Sequence, residues 1–159
     1  MRSRILAALG AFALLAGCSA HETLEAHWFP LAEIVEAKET GLTGGRVMTL
    51  YSTLVTGDLA AVDSWYPAGS VEREALLRHE QAHSVREFQD PLWLVKYTAS
   101  PAFRWQEEQV GYREEILWLR NHQRPVDAYQ MAWSLANLYD GMVSLDDALA
   151  WVMSVLREP

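Results

Sequence analysis

VEREALLRHEQAHSVREFQ, residues 71–89, is the stretch on which the fold turns. Ser70 before it suits an N-cap, Glu72 and Glu74 suit a first helical turn, and Asp90-Pro91 ends the pattern. The segment therefore reads as one long helix. His79 and His83 lie four positions apart on it, about 40° around the axis and one turn along. Both imidazoles project to one side and can share one metal ion. Glu80 is offset from His79 by about 100°, close enough to serve the site without being a ligand. Leu76 falls beside the histidines, while Leu77 and Phe88 call for a second buried side. A helix apolar on more than one face is expected at the centre of a fold.

Working outward, Leu31 to Lys38 has helical spacing through Leu31, Ile34 and Val35. Gly41-Leu-Thr-Gly-Gly45 breaks it. Val47 to Val55 is rich in β-branched and aromatic residues, Thr56-Gly57-Asp58 is a turn signal, and Leu59 to Tyr66 follows, which predicts a β-hairpin. Beyond residue 89, an apolar segment Leu92–Tyr97 stops at Ser100-Pro101. Helices are expected over about Trp105–Asn121, Val126–Tyr139 and Leu145–Leu156, the last capped by Ser144. The fold class is α+β and mostly helical: a small hairpin or sheet packed on the central helix, with further C-terminal helices. Trp133, Tyr129 and Trp151 recur at helical spacing and read as core. Trp28, Trp65, Trp93 and Trp105 could line a cleft, with packing the simpler expectation.

Two histidines leave a metal site incomplete, since catalytic zinc takes three protein ligands and a water. Position 89 is Gln, so no third His follows at the short spacing. The helix from Trp105 offers Glu107, Glu108, Glu114 and Glu115. Its apolar side runs through Trp105, Tyr112, Ile116 and Leu119. Glu108 falls next to that side and Glu107 faces away from it. A carboxylate beside a buried face needs a reason to be there, so Glu108 is the preferred third ligand, with Glu115 and Glu107 as alternatives.

His79-Glu80-Gln81-Ala82-His83, followed by Trp105-Gln106-Glu107-Glu108-Gln109-Val110-Gly111-Tyr112, resembles the small gluzincin-type zinc metallopeptidases over about residues 45–120. These pair an HExxH helix with a downstream helix carrying a Glu and a nearby aromatic. The resemblance implies a zincin-like domain over 27–159 and a Zn2+ ion on His79, His83 and Glu108. The implied reaction is peptide-bond hydrolysis: zinc activates a water and polarises the substrate carbonyl, and Glu80 acts as general base. Tyr112 is the preferred donor to the developing oxyanion, with His122 and Tyr97 as further candidates. An edge strand within Val47–Val55 could pair with an extended peptide. The competing readings are a metal-binding or peptide- or partner-binding protein on the same scaffold without turnover, and a helical assembly factor whose HExxH is accidental.

The N-terminus reads as an address. Arg2 and Arg4 precede an apolar run, Ile5 to Leu15, of about eleven residues, which suits a signal peptide and is too short to span a bilayer. Leu15-Ala16-Gly17-Cys18 resembles the bacterial lipoprotein box, which implies a signal peptide over 1–17, acyl chains on Cys18 and a tether over 18–26 that includes His21. His27 falls beside it. Ser19 after the Cys implies sorting to the outer membrane, facing the periplasm. Cys18 is the single cysteine, so an internal disulfide and a Cys-rich zinc site are both excluded. Removing residues 1–17 takes the 13 basic side chains to 11 against 21 acidic ones, and the formal charge from -8 to -10. That balance sets nucleic acid aside as a partner. It also leaves membrane attachment to the acyl chains rather than to the protein surface.

Overall fold

The computed structural model describes residues 22–23, 33–36, 47–51 and 53–159. The expected leader over 1–17, the expected lipidation site at Cys18, the expected tether, and His21, His27 and Trp28 lie outside the described residues. The chain divides into two compact units, residues 1–73 and 74–159, and its architecture is α+β and mostly helical, as the sequence predicts.

The first unit holds a four-stranded sheet of β1 (Glu22–Thr23), β2 (Glu33–Glu36), β3 (Val47–Leu50) and β4 (Thr53–Thr56), in the order β1-β2-β4-β3. β2 runs parallel to β4, with Glu33 opposite Thr53 and Ile34 opposite Leu54. The two outer pairings are antiparallel. The helix expected over Leu31–Lys38 is thus replaced, at 33–36, by a strand. Ile34 and Val35 are β-branched, and the pairing with β4 supplies backbone partners that no spacing rule within one segment can reveal.

A hairpin is present, but not the expected one, in which Val47–Val55 would pair with Leu59–Tyr66 across Thr56-Gly57-Asp58; residues 59–65 are helical. Val47–Val55 is not one strand: β3 and β4 pair within it, with Leu50 opposite Thr53. Tyr51 takes φ of 55°, the left-handed conformation that two-residue hairpin connections demand. Thr56-Gly57-Asp58 starts a helix rather than turning a hairpin. Asp58 accepts from the Ala61 amide at 2.9 Å, capping α1 (Leu59–Trp65). Glu36 of β2 accepts from the Leu59 amide at 3.3 Å.

α2 (Val71–Gln89) has the expected bounds. Arg73 in its first turn is buried and donates to Asp63 and to the Tyr66 carbonyl. After it come α3 (Trp93–Ala99), α4 (Pro101–Asn121), α5 (Ala128–Asn137) and α6 (Leu145–Val155). α4 begins before the expected Trp105. Ser100-Pro101 ends α3, and it also opens α4: Ser100 Oγ accepts from the Phe103 amide and Pro101 takes a position where its missing N–H costs nothing. Asp127 and Ser144 cap α5 and α6 in the same way.

The core of the second unit is Ile116, Ala132, Leu135, Ala148, Val152 and Val155. Trp105, Tyr112 and Trp151 pack against it, half-buried. Trp133 and Tyr129 do not belong to the core: they are 41% and 58% exposed. α5 buries the side bearing Ala132 and Leu135, and these two aromatics, four positions apart, share a different side.

α2, α3 and α4 are tied together by one carboxylate. Glu107 of α4 is fully buried. It accepts two hydrogen bonds from Arg86 of α2, both 2.6 Å, and one from Trp93 Nε1 of α3 at 2.8 Å. The expectation that Glu107 faces away came from α4's apolar side alone. α2 and α3 cover the opposite side, and their donors satisfy the buried charge.

The two halves of this ion pair are not equivalent. Arg86 is 42% exposed and can turn to water, whereas Glu107 has 0% exposure. Arg86→Met should therefore cost roughly 3 kcal/mol or more, because it strands a buried carboxylate. Glu107→Gln keeps an acceptor for Trp93 and should cost roughly 1–2 kcal/mol. Denaturant unfolding of the two variants checks this order, and the reverse order would refute the account.

Candidate metal centre

His79 and His83 project from the middle of α2, Tyr97 from α3, and Glu108, Gly111, Tyr112 and Glu115 from α4. The four-residue spacing on α2 brings the two Nε2 atoms to 3.1 Å. Glu108 closes the triangle, with carboxylate oxygens 3.4 Å from His79 Nε2 and 3.7 Å from His83 Nε2. All three residues are buried, and one ligand atom from each lies within 4.8 Å of the others. Tetrahedral zinc with bonds of 2.0–2.2 Å places its ligand atoms about 3.3 Å apart. The observed edges fall around that value, so this group could hold a metal ion.

The helices approach closely enough to make this triangle because position 111 is glycine. A Cβ there would lie 2.6 Å from His79 Cδ2 and Nε2 and 2.9 Å from His83 Nε2. Those are ring atoms packed on both sides, not the far end of a flexible chain. Gly111 falls one turn after Glu108, so the same stretch of α4 supplies the carboxylate and the gap.

Glu115 is no ligand in this arrangement. Its Oε2 accepts from His79 Nδ1 at 3.1 Å, which leaves Nε2 turned toward His83 and Glu108. A carboxylate behind a ligating imidazole fixes the ring's orientation and raises its basicity. Tyr112 packs its ring edge-on to His79, centroids 4.6 Å apart, and its hydroxyl pairs with that of Tyr139 at 3.4 Å. The Tyr97 hydroxyl donates to Glu108 Oε1. His122, the other candidate donor, lies outside the site: it is exposed, its ring lies tilted against Trp118, and it bonds the Trp118 carbonyl. Glu80 is buried in the same region, and its charge acts on both His79 and Tyr97.

The proton distribution follows from these contacts. Burial disfavours charge on His79, but hydrogen bonds to Glu108 and Glu115 and the charges of Glu80 and Glu108 outweigh it and hold its pKa well above the usual value. Burial dominates at His83 and, with the His79 charge, pushes it down to about 4 against the pull of Glu108. Glu108 is lowered: desolvation works against it, but His79, His83 and Tyr97 all favour its ionised form. Burial raises the Tyr97 and Tyr139 hydroxyls, with the Glu108 charge adding to it, so both remain protonated donors.

Arg104, Arg86, Trp93 and Tyr139 take part in this region although no spacing pattern marks them. Arg104 of α4 donates to the carbonyls of Tyr97, Thr98 and Tyr139. It thereby fixes the backbone beneath two of the tyrosines around Glu108. Comparison of the chain with protein-family models, with curated proteins and with solved structures finds no match.

Gly111→Ala puts opposing effects in competition. Alanine improves a helix interior by about 1 kcal/mol, and the added Cβ drives into His79, which Glu115 holds from behind. The clash should win, so the variant should melt below wild type. A thermal melt that rises instead would mean the two helices can separate freely at this point.

Proposed function

We propose that the protein is a zinc-dependent peptidase of the bacterial envelope, held on the outer membrane by acyl chains on Cys18 and acting in the periplasm. The observation that carries this reading is the buried His79–His83–Glu108 triangle with Glu115 behind His79 and Glu80 beside it. Structural zinc sites are usually closed by four protein ligands, often thiolates, whereas three nitrogen and oxygen ligands suit a site with one position open. No helix among the described residues is long and apolar enough to cross a membrane, so anchoring in this reading falls to the lipid.

His79 and His83, each through Nε2, and the Glu108 carboxylate would hold the ion. A zinc ion so placed supplies Lewis acidity, making water a nucleophile near neutral pH and polarising a carbonyl. Glu80 takes the proton from the attacking water and returns it to the leaving amine. Tyr112, its hydroxyl kept in register by Tyr139, donates to the oxygen that gains charge on the substrate carbonyl. Tyr97 holds Glu108 in place through its hydroxyl. The substrate is a peptide or protein.

Metal analysis tests the centre directly. Wild-type protein should carry one zinc per chain, and His83→Ala should lose it. Protein purified without stoichiometric zinc, and unable to take it up, would sink the proposal.

Turnover needs its own experiment. Glu80→Gln should keep the zinc and lose peptide hydrolysis by at least about a hundredfold, the scale of a general base. Hydrolysis that survives the substitution would remove Glu80 from its role. Stoichiometric zinc with no hydrolysis in wild type would assign the protein to metal-dependent binding of a peptide or partner instead.

A further inference from the structure

A concave feature whose lining includes neither histidine lies in the 74–159 unit. It is an open pocket of about 770 Å³, lined by Trp105 and Gln109 of α4, by Met142 and Ser144 of the α5–α6 connection, and by Asp147 and Trp151 of α6. The two indoles meet edge to face, with centroids 5.5 Å apart and planes at 76°, and both are only half-buried. Two indoles at a steep angle form a corner rather than a flat platform. Asp147 stands one helical turn before Trp151, so its carboxylate shares a side of α6 with that ring. Ser144 donates to Asp147 Oδ2 at 2.7 Å, and the Asp147 amide donates to Ser144 Oγ at 3.1 Å. The carboxylate is thus held in place on one oxygen, and the other remains an acceptor.

The charge at this pocket is one-sided. Asp147 is the single charged side chain lining it, with no Lys, Arg or His among the described lining residues. The N-terminus of α6 offsets about half an elementary charge, and Asp146 beside it more than restores the deficit. We propose that this pocket binds an organic cation, an alkylammonium or quaternary ammonium head. The indole faces of Trp105 and Trp151 and the carboxylate of Asp147 supply the attraction. Asp147 is exposed and the two indoles are half-buried, so the attraction is that of a cation at an accessible aromatic site, roughly twofold to fivefold in affinity from the rings, or about 0.5–1 kcal/mol. A neutral sugar would be served by the ring faces but would gain nothing from the unopposed acid. None of the residues lining this pocket belongs to the His79–His83–Glu108 group.

The test is an NMR titration of the full chain with a chelator present, following the indole N–H signals of Trp105 and Trp151. The probes are choline and dimethylbutanol, its uncharged isostere. Choline should move both signals and saturate in roughly the millimolar range, as suits so small a ligand. Dimethylbutanol should bind roughly tenfold more weakly or worse. Asp147→Asn keeps an acceptor for Ser144, so α6 keeps its cap, and should weaken choline roughly twofold to fivefold, the scale of an exposed charge pair. Equal binding of the two probes, unchanged affinity in Asp147→Asn, or no movement of the two indoles would each overturn the proposal. So would a response to methyl glucoside with none to choline, which would make the pocket a sugar site.

Discussion

Everything around His79 depends on how near α4 comes to α2. Two helices normally pack with axes 8–10 Å apart, a distance set by the side chains between them. At Gly111 there is no side chain, and the two imidazoles occupy the space that one would fill. The same approach lets Glu108 and Glu115, one on each side of Gly111 along α4, reach different nitrogens of the histidine pair. Had the helices been held further apart, the carboxylates would be buried charges without partners, which a fold of this size could not tolerate.

The number of ionisable groups withdrawn from water here is unusual. His79, Glu80, His83, Glu87, Glu107, Glu108 and Glu115 are all buried along two helices. Acids outnumber bases, and the fold answers by assigning partners. Glu107 takes Arg86 and Trp93, Glu115 takes His79, and Glu108 takes Tyr97 with both histidines nearby. The structural carboxylate and the one in the triangle are neighbours in sequence, pointing to different sides of α4 and doing different work. A divalent cation in the triangle would draw on negative charge already assembled there.

How much of this could be read from the chain alone varied with the range of the interaction that decides each element. α2 is legible because its caps, its acids and its histidine pair all lie within the segment itself. Glu108 is legible because Trp105 and Tyr112 mark the buried side of α4, and Glu108 adjoins that side. Glu107 is misread by the same argument, since one helix's pattern cannot show that two other helices cover its far side. β2 is misread as helix because its partner β4 lies in a later part of the chain. Thr56-Gly57-Asp58 is ambiguous in itself: the residues that turn a hairpin also cap a helix, and the Asp58 side chain settles it. Glu115 as the support of His79, and Arg104 as the support of the tyrosines, arise from contacts between helices that leave no periodic trace.

All the groups that meet around His79, apart from Tyr139, come from one uninterrupted run of the chain, and His79 and Glu115 are only 36 positions apart. Centres of this kind are often gathered from distant segments, each of which must find the others during folding. Closing a loop of a few tens of residues carries a modest entropic penalty that grows only slowly with length, and contacts of short range in sequence form fast. The helix–turn–helix of α2, α3 and α4 can therefore draw its histidines and carboxylates together early. The geometry around His79 is then a local property of that hairpin of helices, one that changes elsewhere in the chain can leave standing.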